Sequence, residues 1–325
     1  MRLFKEKLAW AAPIAVILII ALFSLNLFAQ GDPKVKGLPV ALIANDESAH
    51  AEAVVSAARQ LEPTLAFTAV NGEDIDGRFR DKEFYAALVI PEGYGDALEN
   101  ALTTGSPATL GIYINQGMNV TGANAAKTAL TALVAQLSAQ YSSGLMAQWE
   151  GRSVDASLAP VLVHPIVAQE QVFNAVTAAT ANGSAPTLMA VPAWVGALIG
   201  GFIVFLATLN ILRQRPMRRR DILFLIGGQT AYGVVIALFS GFTVATLGLL
   251  AGINMPGYLP VALFVSFAAF CFYMLVMAVT AWIGKPAITL FMVVMLLGMG
   301  VLMTPKEMLP SFFVDFIRPW IPLRF

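Results

Sequence analysis

The stretch Thr187–Leu212, TLMAVPAWVGALIGGFIVFLATLNIL, runs 26 residues without a formal charge, and Arg213, Arg215, Arg218, Arg219 and Arg220 follow directly. About 20 apolar residues in a helix cross the ~30 Å hydrocarbon core of a bilayer. The stretch therefore reads as a membrane span with a cationic end. Ile222–Ala251, Pro260–Ile283 and the shorter Ala287–Met303 read the same way, separated by turns at Gly252–Leu259 and Gly284-Lys285-Pro286. Toward the N-terminus, Leu8–Ala29 is another uncharged run, ~33 Å long as a helix at ~1.5 Å per residue. Arg2, Lys5 and Lys7 precede it. It exceeds a signal-peptide core, and Leu27-Phe28-Ala29 is a poor cleavage site, so it reads as an uncleaved anchor. Composition agrees with this class: 58% of the 325 residues are hydrophobic and 12% are charged, against about 25% charged in soluble domains.

Short loops rich in Lys and Arg mark the cytoplasmic side. Placing the N-terminus inside puts the cations of the N-terminus, the 213–220 loop and the 284–286 loop all inside, and leaves the uncharged 252–259 loop outside. The protein is therefore expected to be multi-pass in the cell (inner or plasma) membrane, with a cytoplasmic N-terminus. Residues 30–186 are expected to be extracytoplasmic. Five spans leave the tail 304–325 outside. Pro305, Pro310, Pro319 and Pro322 forbid one straight helix there, so it is expected to be interfacial or re-entrant, or followed by a sixth span.

Residues 30–186 hold 16 of the 20 acidic residues and 8 of the 20 basic ones. Apolar runs at Leu38–Ala44, Leu65–Val70, Tyr85–Ile90, Ala108–Ile114 and Val161–Val167 predict strands. Helical spacing predicts helices over His50–Leu61, from Pro91-Glu92 through Leu102, and from Val120 to about Trp149. The expected architecture is a polytopic α-helical membrane protein of five transmembrane helices, with an extracytoplasmic α/β or α+β domain between the first and second. Its parts are 1–29 (stub and first helix), 30–186 (domain), 187–303 (helices two to five) and 304–325 (tail).

Several chemistries are excluded. A formal charge of zero gives no basic face for nucleic acid. A single cysteine, Cys271, and two histidines, His50 and His164, leave no ligand set for zinc, so no metal or cofactor is expected. Cys271 reads as a small buried apolar residue. Gly122-Ala123-Asn124-Ala125-Ala126-Lys127-Thr128 resembles a phosphate-binding loop, but Ala126 stands where the glycine before the lysine must be. The acidic run Glu73, Asp74, Asp76, Asp81, Glu83 lacks EF-hand spacing, and Arg78, Arg80 and Lys82 interleave it. No nucleophile elbow or HExxH is present, so the chain is expected to perform no covalent chemistry. No Asp, Glu, Lys or Arg lies within the span cores, which argues against an ion-driven antiporter.

Two groups of candidate site residues remain. Arg213, Arg215, Arg218, Arg219 and Arg220 would anchor topology, attract anionic lipid, or contact a cytoplasmic ATPase. Gly196, Gly200 and Gly201 form a small-residue face for helix packing or a transport path. Gln229 and Thr230 are polar within hydrocarbon and should face protein or a cavity.

Local runs then carry a resemblance. Leu38-Pro39-Val40-Ala41-Leu42-Ile43-Ala44-Asn45-Asp46, Ala86–Tyr94 with Ile90-Pro91-Glu92-Gly93-Tyr94, Ile112–Asn119, Leu309-Pro310-Ser311-Phe312-Phe313 and Pro319-Trp320-Ile321-Pro322-Leu323 are similar, in order, to segments of the type-2 ABC transporter permeases. They resemble most closely those of the YhgE/Pip (phage infection protein) branch. The resemblance implies a homodimeric permease subunit that moves a hydrophobic or amphipathic substrate outward, with a separate cytoplasmic ABC ATPase. The short 213–221 loop departs from the family's coupling helix. The branch also implies the other reading, a cell-surface receptor or secretion accessory without transport.

Overall fold

The computed structural model describes residues 35–148, 155–214 and 218–321. The expected first span, Leu8–Ala29, lies outside them, as do Arg215 and Pro322-Leu323. The chain divides into two units: residues of Pro33–Val176 with Thr304–Met308, and residues of Thr177–Met303 with the tail from Leu309.

The first unit is built on a five-stranded sheet: β1 (Leu38–Ala44), β2 (Leu65–Ala69), β3 (Ala86–Ile90), β4 (Ala108–Asn115) and β5 (Ile166–Phe173), in the order β2-β1-β3-β4-β5. β2, β1 and β3 run parallel. β4 turns antiparallel to β3, and β5 is parallel to β4. Helices α1 (Ala49–Arg59), α3 (Tyr94–Glu99) and α5 (Val120–Gln148) cover one face, closing a core of Leu38, Val40, Leu42, Leu88, Leu110, Ile112 and Leu130. The short α2 (Ile75–Arg80) covers the other, with Ile75 and Phe79 against Ala41, Ile43 and Val89. Strands buried on both faces read as continuous apolar runs, which is why LPVALIA and AALVI carry no alternation.

Two expectations change. The helix opened by Pro91-Glu92 breaks at Asn100 into α3 and α4 (Ala101–Thr104). Of the expected strand Val161–Val167, only Ile166-Val167 is extended. Ala159–Val163 forms α6 with Pro160 in its first turn, and β5 begins only after Pro165. β5 is an edge strand with exposed Gln169, Glu170 and Gln171, so its polarity hid it.

The antiparallel step has a geometric consequence. Val40 of β1 lies beside Ala86 of β3, Ala86 opposite Ile114 of β4, and Ile114 beside Val172 of β5. The starts of β1 and β3 therefore share one sheet end with the finishes of β4 and β5. This end is the root of the domain, since the chain enters at β1 and leaves after β5.

The second unit contains α7 (Ala185–Gln214), α8 (Arg219–Leu250), α9 (Tyr258–Ile283) and α10 (Ala287–Met303). The first three are long and apolar enough to cross a membrane, and the 17-residue α10 is a shorter apolar helix. α8 buries Gly233, Ala237, Gly241 and Ala245 at four-residue spacing. α9 answers with Ala262, Ser266, Ala269 and Tyr273. A Cβ on Gly241 would collide with Ser266 and with the Ala262 carbonyl, so the two backbones meet directly. The large side chains point outward: Phe239 and Phe264 are each 72% exposed and Leu250 78%. Cys271 is exposed on α9, not buried as its apolar surroundings suggest. After α10 the tail folds back, and Ile321 packs on Gly298 beside Val301, Leu309 and Phe313.

Candidate functional site

Close packing of α7–α9 leaves a space open near the start of α7. A cavity of about 540 Å³ lies where α7 begins, between Met189, Ala190 and Ala193 of α7, the 253–256 loop, and Phe264, Ala268 and Phe272 of α9. Apolar lining dominates, and the size falls within the ~300–1,000 Å³ of small-molecule sites. The Asn254 N–H donates to the Ala179 carbonyl at 2.6 Å, which ties the 253–256 loop to the turn before α7 and fixes this mouth. Trp194, 1% exposed, packs against Phe272 behind the wall, with ring centroids 5.8 Å apart and planes tilted by 37°.

Below the cavity a polar knot joins three helices. The Gln229 amide of α8 donates to the Thr208 hydroxyl of α7 at 2.6 Å, and Thr208 donates to its own Val204 carbonyl at 2.8 Å. The Tyr273 hydroxyl of α9 donates to the Gln229 carbonyl at 2.8 Å. The Tyr273 ring fills the notch left by Gly233 and touches the Gly201 position at 3.5 Å. The Gln229 amide nitrogen and the Thr208 and Tyr273 hydroxyls thus each find a protein partner within apolar surroundings, as hydrocarbon demands.

The other candidates separate. A Cβ on Gly196 would meet Ser240 at 3.2 Å and one on Gly200 would meet Ile236 at 3.0 Å, both on α8. Gly201 instead faces Val276 of α9 at 3.0 Å. All three sit at helix contacts, and none lines the cavity. Thr230 donates to its own Ile226 carbonyl and stays out of the knot. Arg213 ends α7, while Arg218, Arg219 and Arg220 open α8. The Arg220 guanidinium lies 5.7 Å from the Phe224 ring, and the Asp221 carboxylate accepts from the Arg218 N–H. These arginines are exposed, with Ile222, Leu223 and Phe224 exposed beside them.

In the α/β unit the segments that carry the resemblance are β1, β3 and the end of β4 with the loops that follow them. The Asp46 carboxylate accepts from Ser48 N–H at 2.8 Å and Gly95 N–H at 3.3 Å, joining the loop after β1 to the loop after β3. Ser48, through its side chain and then its N–H, holds the Asp46 carboxyl below the ordinary carboxylate value, and Gly95 and Tyr94 N–H groups add to this. Gly93 takes φ +74°, which glycine adopts freely. At the root, Asn115 is fully buried. Its amide donates to the Phe79 and Phe84 carbonyls at 2.9 and 3.1 Å and its oxygen accepts from Asn174 at 2.8 Å. Gly122–Thr128 forms the first turns of α5, where Asn119 accepts from Thr121 and Gly122 N–H and Lys127 pairs with Glu170 at 2.6 Å. It holds a helix start, not a phosphate cradle.

Sequence reasoning passed over the Gly233-Ala237-Gly241-Ala245 stripe and Tyr273. The four-residue spacing was the available signal. Tyr273 carried none, because its partner is a backbone carbonyl 44 positions away.

Apolar helices packed through small residues, joined in one chain to an α/β unit, are the marks of a membrane protein that also carries a folded α/β unit. Residues 9–324 match the family described as ABC-2 family transporter protein. The chain belongs to that family and so to the membrane subunits of ABC-2 transporters. No curated protein matches it. Among solved structures it is similar to a crystal structure of a domain assigned to an ABC type-2 transporter of Thermotoga maritima MSB8. Identity is 20%, with 42% of this chain and 85% of that chain covered and a TM-score of 0.31.

Proposed function

We propose that the chain is the permease subunit of an ABC exporter, in the YhgE/Pip-like branch, moving a hydrophobic or amphipathic substrate outward. It works as a homodimer with a separate cytoplasmic ATPase. The observation that carries the substrate class is the apolar cavity between α7, α9 and the 253–256 loop, given the family. The chain has five spans with the N-terminus inside, so the cavity mouth faces outward and residues 30–186 lie outside. The bond between Asn254 and Ala179 supports this orientation, because it joins the loop assigned outside to the segment that leaves the domain. Arg213, Arg215, Arg218, Arg219 and Arg220 then sit at the cytoplasmic surface, where they meet anionic headgroups and the ATPase. Gln229 serves the helix knot, and Gly196, Gly200 and Gly201 set helix spacing, so the substrate passes the cavity and not these residues.

The test is to fill the cavity. Ala190→Trp and Ala268→Trp each place an indole in it. In inside-out vesicles carrying the chain with its ATPase, both variants should keep the ATPase bound yet lose ATP-driven uptake of an amphipathic fluorescent dye. Uptake at the unmodified rate in both variants would remove the cavity from the path.

A further inference from the structure

We infer that Thr304–Met308, although it follows α10 in sequence, is a strap that closes the root of the α/β unit, with Glu307 as its positioning residue. These five residues belong to the α/β unit, although they are flanked in sequence by α10 and the tail. Glu307 holds two partners from distant parts of the chain. Its carboxylate accepts from the Tyr85 hydroxyl at 3.1 Å, across 222 positions, and its carbonyl accepts from the Lys36 N–H at 3.0 Å. The Glu307 side chain is 9% exposed, and Met308 beside it is 4% exposed. A carboxylate withdrawn from water needs such donors, and a charged acceptor makes a stronger bond than a neutral one.

Tyr85 is itself fixed. It is 4% exposed, and its ring lies against Gly122, where a Cβ would sit 2.5 Å from Cε1. Only glycine at the start of α5 leaves room for it. The Tyr85 carbonyl accepts from Asn115 N–H at 2.8 Å, and Asn115 is the buried clamp of the root. Next to it, Gln116 accepts from the Val176 N–H at 3.0 Å, holding the last residue of the unit. Three passages of chain therefore meet at one sheet end: the entry at Lys36, the exit at Val176 and the strap at Glu307.

Hydrogen exchange of the full chain in lipid nanodiscs tests it, using Tyr85→Phe, Glu307→Ala, Glu307→Gln and the Tyr85→Phe/Glu307→Ala pair. Loss of the latch should speed exchange about tenfold or more at 304–308, and also at the 35–37 entry bonded to it, with β4 and α8 unchanged. Glu307→Gln keeps an acceptor oxygen and should stay near the parent, and the double variant should add nothing to Glu307→Ala. Faster exchange confined to 304–308, with 35–37 at the parent rate, would make Glu307 a local contact and overturn its role at the root. Parent-like exchange in both Tyr85→Phe and Glu307→Ala would overturn the latch itself. If Glu307→Ala does not accumulate, Tyr85→Phe, which removes one hydroxyl, carries the same test.

Discussion

The α/β unit and the helical unit solve opposite packing problems. The first buries Leu38, Leu88, Leu110 and Ile112 and exposes Glu52, Arg59 and Glu99. The second buries Gly233, Ala237, Gly241 and Ala245 and exposes Phe239, Leu250, Phe264 and Trp282. Water drives large apolar side chains inward. Lipid gives no such drive, so helices associate where small residues let backbones approach and polar groups pair. The two interiors therefore fail in different ways: the domain should suffer most from lost atoms and lost partners, the bundle from added bulk.

The sharpest way to break this contrast is Gly241→Leu. The new side chain meets the Ala262 carbonyl and Ser266, backbone that cannot yield. Overpacking of this kind should cost roughly 3 kcal/mol or more. The bundle should lose its thermal transition in detergent while exchange in β3 and β4 stays slow. A variant that melts with the parent would show that α8 and α9 are not in backbone contact.

Next comes Asn115→Ala. It strands the Phe79 and Phe84 carbonyls and the Asn174 amide in a buried site, at about 2–3 kcal/mol. Regional exchange should show the domain opening earlier with α8 and α9 unaffected. Equal loosening of both units would erase the distinction.

A smaller change is expected in the knot. Tyr273→Phe keeps the ring in the Gly233 notch and removes one hydroxyl, and single interhelical bonds in membranes average about 0.6 kcal/mol. The melting of the bundle in detergent should fall only slightly. A loss as large as that of Gly241→Leu would mean that the hydroxyl, and not the fit of the ring, holds α8 to α9.

The smallest effect concerns acid. The Asp46 carboxyl is held below its ordinary value of 3.8. Its contribution is therefore present above that value and is lost as pH falls through the lowered one. Acid titration of the domain should show a steeper loss of stability below about pH 4 in the parent than in Asp46→Asn. Identical acid profiles would mean that Ser48 and Gly95 do not favour the ionised form.

Much of this architecture was legible in the residues. Runs such as LPVALIA and the long uncharged segments announce strands and helices, because burial in a sheet and immersion in lipid both demand unbroken apolarity. β5 was misplaced because an edge strand tolerates Gln169-Glu170-Gln171 while the apolar Val161–Val163 is a helical turn. The strap was invisible, since Tyr85 and Glu307 meet only once the fold exists. The site was harder still. A cavity is a property of what the packing leaves empty, and no residue type marks it. Gln229 was conspicuous because polarity within an apolar run has to be accounted for. Its role in a helix knot became visible only with Thr208 and Tyr273 beside it.

Gentle affinity purification of the full chain from its native membrane, followed by mass spectrometry of the chains that accompany it, tests directly whether it works as the membrane half of an ATP-driven transporter. An enriched ABC ATPase is expected, with that enrichment lost when Arg218, Arg219 and Arg220 are replaced by alanine while the chain stays folded. A folded chain that brings down no ATPase under several mild detergents would contradict it.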